Sequence, residues 1–213
     1  DLRNGFQMPF KMTPKLFMDF ATHPHWSLAT LWQGVPEPIN FKPLTGNKTF
    51  DRNASRAGAN WDFLERLREL WKGNLIVKGV TSAADAGRIQ QVGADAIYVS
   101  NHGGRQLDGA MSSIKMLQSI LDAVGDQIEV HMDGGIRSGQ DVLKALAMGA
   151  KGTYIGRAFI YGLGAMGQAG VTKALEVIHK ELDTSMALCG KRNVGELTND
   201  ALMVPKDFSG DWV

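Results

Sequence analysis

The chain has 213 residues, 44% of them hydrophobic, and a formal net charge of +1. That is enough polypeptide to bury one substantial core, and a charge this close to zero gives no electrostatic basis for binding nucleic acid. The single cysteine, Cys189, has no partner for an intrachain disulfide, and no Cys/His cluster has zinc spacing, so a reducing compartment and no metal are expected. No apolar run approaches the ~20 residues of a membrane span, and the start, at Asp1, lacks a basic-then-apolar signal pattern. The expected location is the cytoplasm.

The first 60 residues differ in character from the rest. Thr13-Pro14 is a cap followed by proline in a first helical turn, opening a short helix to about Ala21. His23-Pro24-His25-Trp26 follows, then a second apolar stretch to Trp32, a Pro-rich run through Pro43, and a polar, Gly-containing loop over residues 44–60. An excursion of this length before a regular domain serves as a lid or a docking surface. The organisation expected is therefore an insertion over residues 1–60 and a main domain over 61–213. Trp61 to Trp71 reads as a helix with Phe63, Leu64, Leu67 and Leu70 inward.

From there, short apolar runs alternate with helical patterns. Leu75-Ile76-Val77 is a strand closed by Lys78-Gly79, and Thr81 or Ser82 caps an Ala-rich helix through Gln91. Ala96 to Val99 is the next strand. Ser113 to Val124 is a helix with Ile114, Leu117, Ile120 and Leu121 on one face. Ile128 to Met132 is a third strand; Ser138 caps a helix that Gly149 stops. Gly152 to Ile155 is a fourth strand, and Val171 to Leu182 a terminal helix, followed by a short one over Ser185 to Leu188. This rhythm is that of an α/β protein with a parallel sheet covered by helices. An open Rossmann-like sheet and a closed eight-stranded barrel both fit. A barrel needs about 250 residues, so in that case half of it lies outside this chain.

Each strand delivers polar or ionisable residues at its carboxyl end: Lys78, then Ser100-Asn101-His102, then Asp133-Gly134-Gly135, then Gly156-Arg157. In α/β barrels, active sites are assembled at that end. His102 is suited to proton abstraction near neutral pH, and Arg105 presents a planar fork that matches a carboxylate. The plainer alternative is a turn histidine and a solvated arginine. Asp133-Gly134-Gly135-Ile136-Arg137 and Gly152-Thr153-Tyr154-Ile155-Gly156-Arg157 each bring glycines and an arginine to the start of a helix, as phosphate-cradling turns do. Lys78, costly to bury alone, would suit a cofactor atom gaining negative charge, or would simply reach to solvent. His131, inside a strand, reads as a wall residue.

The run Ser100-Asn101-His102-Gly103-Gly104-Arg105-Gln106 resembles the signature of the FMN-dependent 2-hydroxy-acid dehydrogenases and oxidases. The resemblance extends from Asp1-Leu2-Arg3-Asn4-Gly5-Phe6 to the terminal helices. It implies a (β/α)8 barrel of which the visible strands are the fifth to the eighth, with the N-terminal half absent. It also implies FMN as cofactor, His102 as the base removing the substrate hydroxyl proton, and Arg105 on the substrate carboxylate. Lys78 would sit beside the flavin N1/O2 edge and Ser100 would contact the flavin. Asp133, Gly134, Gly135 and Arg137, with Gly156 and Arg157, would hold the ribityl and phosphate portions. The reaction implied is oxidation of an L-2-hydroxy acid, with L-lactate the leading substrate, to the 2-oxo acid.

Three further expectations follow. First, the family's remaining site residues come from strands not present here, so the chain is expected to be a truncation, a cleavage product or one piece of a split enzyme, weakly active or inactive alone. It would pair with the missing half or with copies of itself. Second, Phe10, Leu16, Phe17, Phe20, Trp26, Leu28, Leu31 and Trp32, with Lys11 and Lys15, suit residues 10–45 to peripheral contact with the cytoplasmic membrane; the alternative is a lid packing on protein. Third, two other functions compete: a noncatalytic flavin- or phosphate-binding half-barrel that assembles with a partner chain, and an FMN-dependent isomerase acting on a diphosphate. The His102/Arg105 pair argues against the isomerase.

Overall fold

The computed structural model describes residues 12–34, 59–205 and 208. The Pro-rich run and most of the 44–60 loop lie outside the described residues. The chain divides into two units, Asp1–Arg56 and Ala57–Val213.

In the first unit, α1 (Pro14–Thr22) and α2 (Pro24–Gln33) are consecutive short helices. Thr13 caps α1 by accepting from the Leu16 N–H, with proline in the first turn of both helices. The two helices are pinned by the Ser27 hydroxyl, which donates to the Phe20 carbonyl at 2.7 Å, and by the edge-on contact of Phe20 with Trp26, 4.9 Å between ring centres. Ser27 is the one buried residue in either helix, whereas Phe17, Met18, Trp26, Leu28, Leu31 and Trp32 are exposed, Trp32 to 93%.

The second unit opens with α3 (Trp61–Leu70), capped by Asn60. Trp61, Leu64 and Leu67 pack on the core, but Phe63 and Leu70 are exposed. The inward face is therefore narrower than expected, one stripe at i, i+3 and i+6. Then come β1 (Ile76–Val80), α4 (Ala83–Val92), β2 (Ala96–Val99), α5 (Ser113–Val124), β3 (Glu129–Asp133), α6 (Gly139–Ala147), β4 (Gly152–Tyr154) and α7 (Arg157–Leu188). Of the two residues considered for capping α4, it is Ser82 that does so; at α6, Ser138 and Asp141 complete a reciprocal capping box.

The four strands are parallel and lie in the order β1-β2-β3-β4. That order has no reversal, which excludes the doubly wound alternative, whose strand order switches direction part-way. It is the order of a barrel wall. One face of the sheet is apolar: Ile97, Val99, Val130 and Met132 meet Ala86 and Ile89 of α4 and Met116, Leu117, Ile120 and Val124 of α5. Each buried Ile, Leu, Val or Met among them contributes about 1.5–3 kcal/mol. The opposite face is set by register. Lys78, Tyr98, His131 and Gly152 are in-line partners across the sheet, so Ser100, Asp133 and Tyr154, two residues further on, share their side.

Two expectations are corrected here. Strand β1 does not close at Lys78 but runs to Val80, with an irregularity between Lys78 and Val80 where Gly79 takes φ +91°. The expected terminal helix is the second arm of α7; an unexpected first arm, from Arg157, precedes it across a break at Met166–Gly167, and residues 185–188 are the last turn of the second arm rather than a separate helix. Glycines at 162, 164, 167 and 170 weaken the helical signal. Three of them answer to the shape of α7: it breaks at Met166–Gly167, and the two arms meet backbone to backbone at Gly162 and Gly170, where an added Cβ on either would collide with the other's carbonyl.

Candidate active site

The carboxyl ends of the four strands converge as the sequence indicates. At the centre, the Lys78 ammonium lies 2.8 Å from Asp133 Oδ2 and donates to Ser100 Oγ at 3.0 Å. Ser100 is 2% exposed, and its hydroxyl also accepts from the His102 N–H at 3.0 Å. Strands β1, β2 and β3 are thus tied at their upper ends by one lysine. Asp133 Oδ1, in contrast, is buried and has no hydrogen-bond partner among the described residues.

Immediately after β2 the chain makes a tight turn over His102–Gly104 in which His102, Gly103 and Gly104 all have positive φ, +57°, +66° and +72°. Among the described residues His102 is the one non-glycine in that region, a conformation that costs about 1–2 kcal/mol for an L-residue. Asn101 holds the turn: its side-chain carbonyl accepts from Gly104 N–H at 3.2 Å and its amide donates to the Met111 carbonyl at 3.1 Å. The result is an exposed imidazole on a loop held by hydrogen bonds, with Arg105 following the turn.

Beyond β3, Gly134 and Gly135 have φ +86° and +89°, and Ile136-Arg137 lead to the Ser138 cap of α6. Beyond β4, Gly156 precedes α7, and Arg157 in its first turn reaches back to donate to the Gly103 carbonyl at 3.4 Å. A cavity of about 210 Å³ opens between these loops. Every residue to which the resemblance gives a substrate or cofactor role lines it except Ser100, which meets it through Lys78. A larger apolar cavity, about 670 Å³, lies between α6, the end of α7 and the C-terminal segment, and shares only Gly134, Gly135 and Ile136 with the first.

Sequence reasoning passed over three residues. Ser113, at the start of α5, is 2% exposed and accepts from the Asn101 backbone N–H at 3.3 Å. Tyr98 and Tyr154 stack beneath the site, ring centres 4.4 Å apart, with His131 beside both. Burial pushes the Tyr98 phenol up to about 12, helped by the hydrogen bond and charge of Tyr154 and then by the charge of Asp133. His131, as expected of a wall residue, bonds Glu129 at 3.1 Å. The tyrosines were signalled by alternation: Lys78; Tyr98 and Ser100; His131 and Asp133; Tyr154 and Gly156 fall at every second residue of their strands, which marks a face chemically distinct from the helix-covered one.

A singly wound parallel α/β sheet that brings His102, Arg105 and two glycine–arginine turns together at its strand ends has the arrangement of an α/β-barrel active site. The family model for FMN-dependent dehydrogenases matches residues 1–204, and the chain belongs to that family. It is similar to L-lactate dehydrogenase of Azorhizobium caulinodans, 44% identical over 194 residues, 85% of this chain and 50% of that protein. It is also similar to L-lactate dehydrogenase of Pseudomonas paraeruginosa, 39% identical over 211 residues, 95% of this chain and 55% of that protein. Among solved structures, the crystal structure of the monotopic membrane protein (S)-mandelate dehydrogenase superposes with a TM-score of 0.85 at 37% identity, over 95% of this chain and 55% of that one. The fold is accordingly part of the barrel of those enzymes. The chain spans about half the length of the curated relatives it matches.

Proposed function

We propose that the protein oxidises an L-2-hydroxy acid to the 2-oxo acid with FMN, and that this chain supplies the base, one carboxylate clamp and the phosphate end of the cofactor cradle. The observation that carries the reading is the convergence of His102, Arg105, Lys78, Asp133, Arg137 and Arg157 on one cavity at the carboxyl ends of four parallel strands. The donor set fits FMN. Arg137 and Arg157 with the Gly135 and Gly156 backbones suit a phosphate, and neither glycine has anything within 4 Å of where a Cβ would stand. The unpartnered Asp133 Oδ1 suits a ribityl hydroxyl, and Lys78 suits the N1/O2 edge of the ring.

In this reading Arg105 holds the substrate carboxylate and fixes the adjacent hydroxyl toward His102. The imidazole takes the hydroxyl proton as the carbonyl forms. FMN, when bound, would take up the hydrogen leaving the carbon together with the electron pair of that bond. In this reading residues 61–213 supply half of an FMN-binding barrel, with β1 and β4 pairing strands that come from outside this chain, and residues 1–60 are an insertion. L-lactate is the first substrate to test, given the names of the relatives, with (S)-mandelate the competitor.

The test is anaerobic mixing of the FMN-loaded full-length protein with L-lactate and (S)-mandelate, following flavin absorbance and 2-oxo acid. His102→Gln should slow bleaching by about 10²–10⁴-fold with FMN retained. Bound FMN that no 2-hydroxy acid bleaches would favour the noncatalytic assembly reading instead.

A second reading concerns location. Among the described residues no helix is long and apolar enough to cross a membrane. The exposed apolar side chains of α1 and α2 favour peripheral attachment, at the cytoplasmic side, through residues 10–45. Co-sedimentation of the full-length protein with anionic liposomes should be lost on deleting those residues; equal pelleting of both forms would remove this reading.

A further inference from the structure

The geometry points to Ser113 as a positioning residue that sets the proton-abstracting loop against the phosphate loop through one buried hydroxyl. The inference rests on the catalytic reading above and adds to it a residue outside the cavity. Ser113 is the first residue of α5 and lies outside the lining of the 210 Å³ cavity. It is 2% exposed, and its Oγ accepts the backbone N–H of Asn101 at 3.3 Å. That N–H lies in the Ser100–Asn101 peptide, one peptide before His102, whose own N–H is held by Ser100 Oγ and whose φ of +57° needs support from its surroundings.

The same oxygen backs the other loop. A Cβ placed on Gly134 would stand 2.8 Å from Ser113 Oγ and 3.0 Å from Asn101 Oδ1. Gly134 therefore rests directly against the pair, with no room for even a methyl group. Asn101 completes the joint: its backbone is held by Ser113, while its side chain holds Gly104 and Met111. A movement of the phosphate loop is felt at Ser113 and Asn101 without an intervening gap, and Asn101 is covalently next to the base. Because interiors are close-packed, such a contact transmits displacement rather than absorbing it. Positioning of this kind matters because small errors in the approach of base to substrate are costly in rate.

The experiment compares Ser113→Ala, Ser113→Thr and Ser113→Val in the FMN-loaded full-length protein. Thr keeps the hydroxyl, and Val matches Thr in shape without it. Expected for Ser113→Ala and Ser113→Val is a kcat lowered at least about tenfold with KM for the hydroxy acid within about twofold. Ser113→Thr should recover most of that loss. FMN affinity, read by quenching of flavin fluorescence, should weaken severalfold in Gly134→Ala and partly recover in the Gly134→Ala/Ser113→Ala double variant, where the nearer of the two clashing oxygens is gone and that of Asn101 remains.

Equal kcat in the Thr and Val variants would overturn the proposal, as would a kcat loss that merely follows loss of folded protein across all three. Should Ser113→Ala fail to fold, the Thr/Val comparison decides. If the unaltered, FMN-loaded protein oxidises no 2-hydroxy acid, the catalytic reading fails; if it does and the Ser113 variants match it, the positioning role alone fails.

Discussion

Lys78 Nζ stands 2.8 Å from Asp133 Oδ2, so a cation on β1 and a carboxylate on β3 meet across β2. Only one carboxylate oxygen is satisfied; Oδ1 is buried without a partner among the described residues. The pair is unequal, with side-chain exposures of 45% for Lys78 and 14% for Asp133. Removing the lysine should hurt more than a surface ion pair would, because it strands a mostly buried charge. Lys78→Met is expected to lower stability by about 1–3 kcal/mol, and Asp133→Asn in the same background to restore part of it. Urea unfolding of the two variants and the double variant checks this; an unchanged midpoint for Lys78→Met would sink it.

Tyr98 gives a prediction at the alkaline end. Its phenol is pushed from 10.0 up to about 12, first by burial and then by Tyr154 and Asp133. Between those values the unfolded chain has lost a proton that the folded chain keeps. The contribution is thus fully present below about pH 10 and is lost as pH rises through about 12. Tyr98→Phe should flatten the fall in stability over that interval and leave the neutral-pH slope unchanged. Urea midpoints measured on either side of pH 10 test it, and parallel curves for the two proteins would count against it.

How much of this could be read in the sequence depends on what each residue answers to. The first three strands after residue 74 were legible because each carries Ile, Val or Met on its helix-covered face, with capped helices between them. The site residues were legible because a barrel places strand ends on one rim, so Lys78, His102, Asp133 and Arg157 announce themselves by position. The start of α7 was not, because Gly162 and Gly170 serve a backbone crossing that local propensity opposes. Phe63 and Leu70 were assigned inward on type alone, whereas the stripe that packs is Trp61, Leu64 and Leu67. Ser113 was invisible for a different reason: a serine at a helix start reads as capping, and its partners Asn101 and Gly134 come from two other loops.

Asp95 contributes at the acid end, as Asp200 beside Lys191 also does. It accepts from the Leu75 N–H at 2.7 Å and from Arg68 at 3.1 Å, joining α3 to the β1–β2 edge. The Leu75 N–H first, and Arg68 after it, hold its carboxyl below the ordinary value against a partial opposing effect of desolvation. A depressed folded value means stability present above the unfolded pKa, about 3.9, and lost as pH falls below it. Asp95→Asn should be less stable than the parent at neutral pH yet lose less on going from about pH 5 to pH 3. Urea unfolding across that range would show it; an identical acid slope in both proteins would refute the assignment.

Gly170 tests whether the break in α7 matters to the site. It is buried, and a Cβ there would meet the carbonyl of Gly162, so Gly170→Ala must force the two arms of the helix apart. Overpacking of that kind is expected to cost about 2 kcal/mol or more. Gly164 is the control: it sits in the same helix, has no positive φ, and has nothing within 4 Å of a Cβ. Gly164→Ala should therefore be neutral or stabilising by up to about 1 kcal/mol through helix propensity. The first arm also carries Arg157, whose guanidinium reaches the Gly103 carbonyl beside His102. Separating the arms should shift that arginine and weaken FMN binding in Gly170→Ala, with Gly164→Ala unaffected. Thermal unfolding and flavin titration of both variants decide the matter, and equal behaviour in the two would mean the crossing does not fix the arginine.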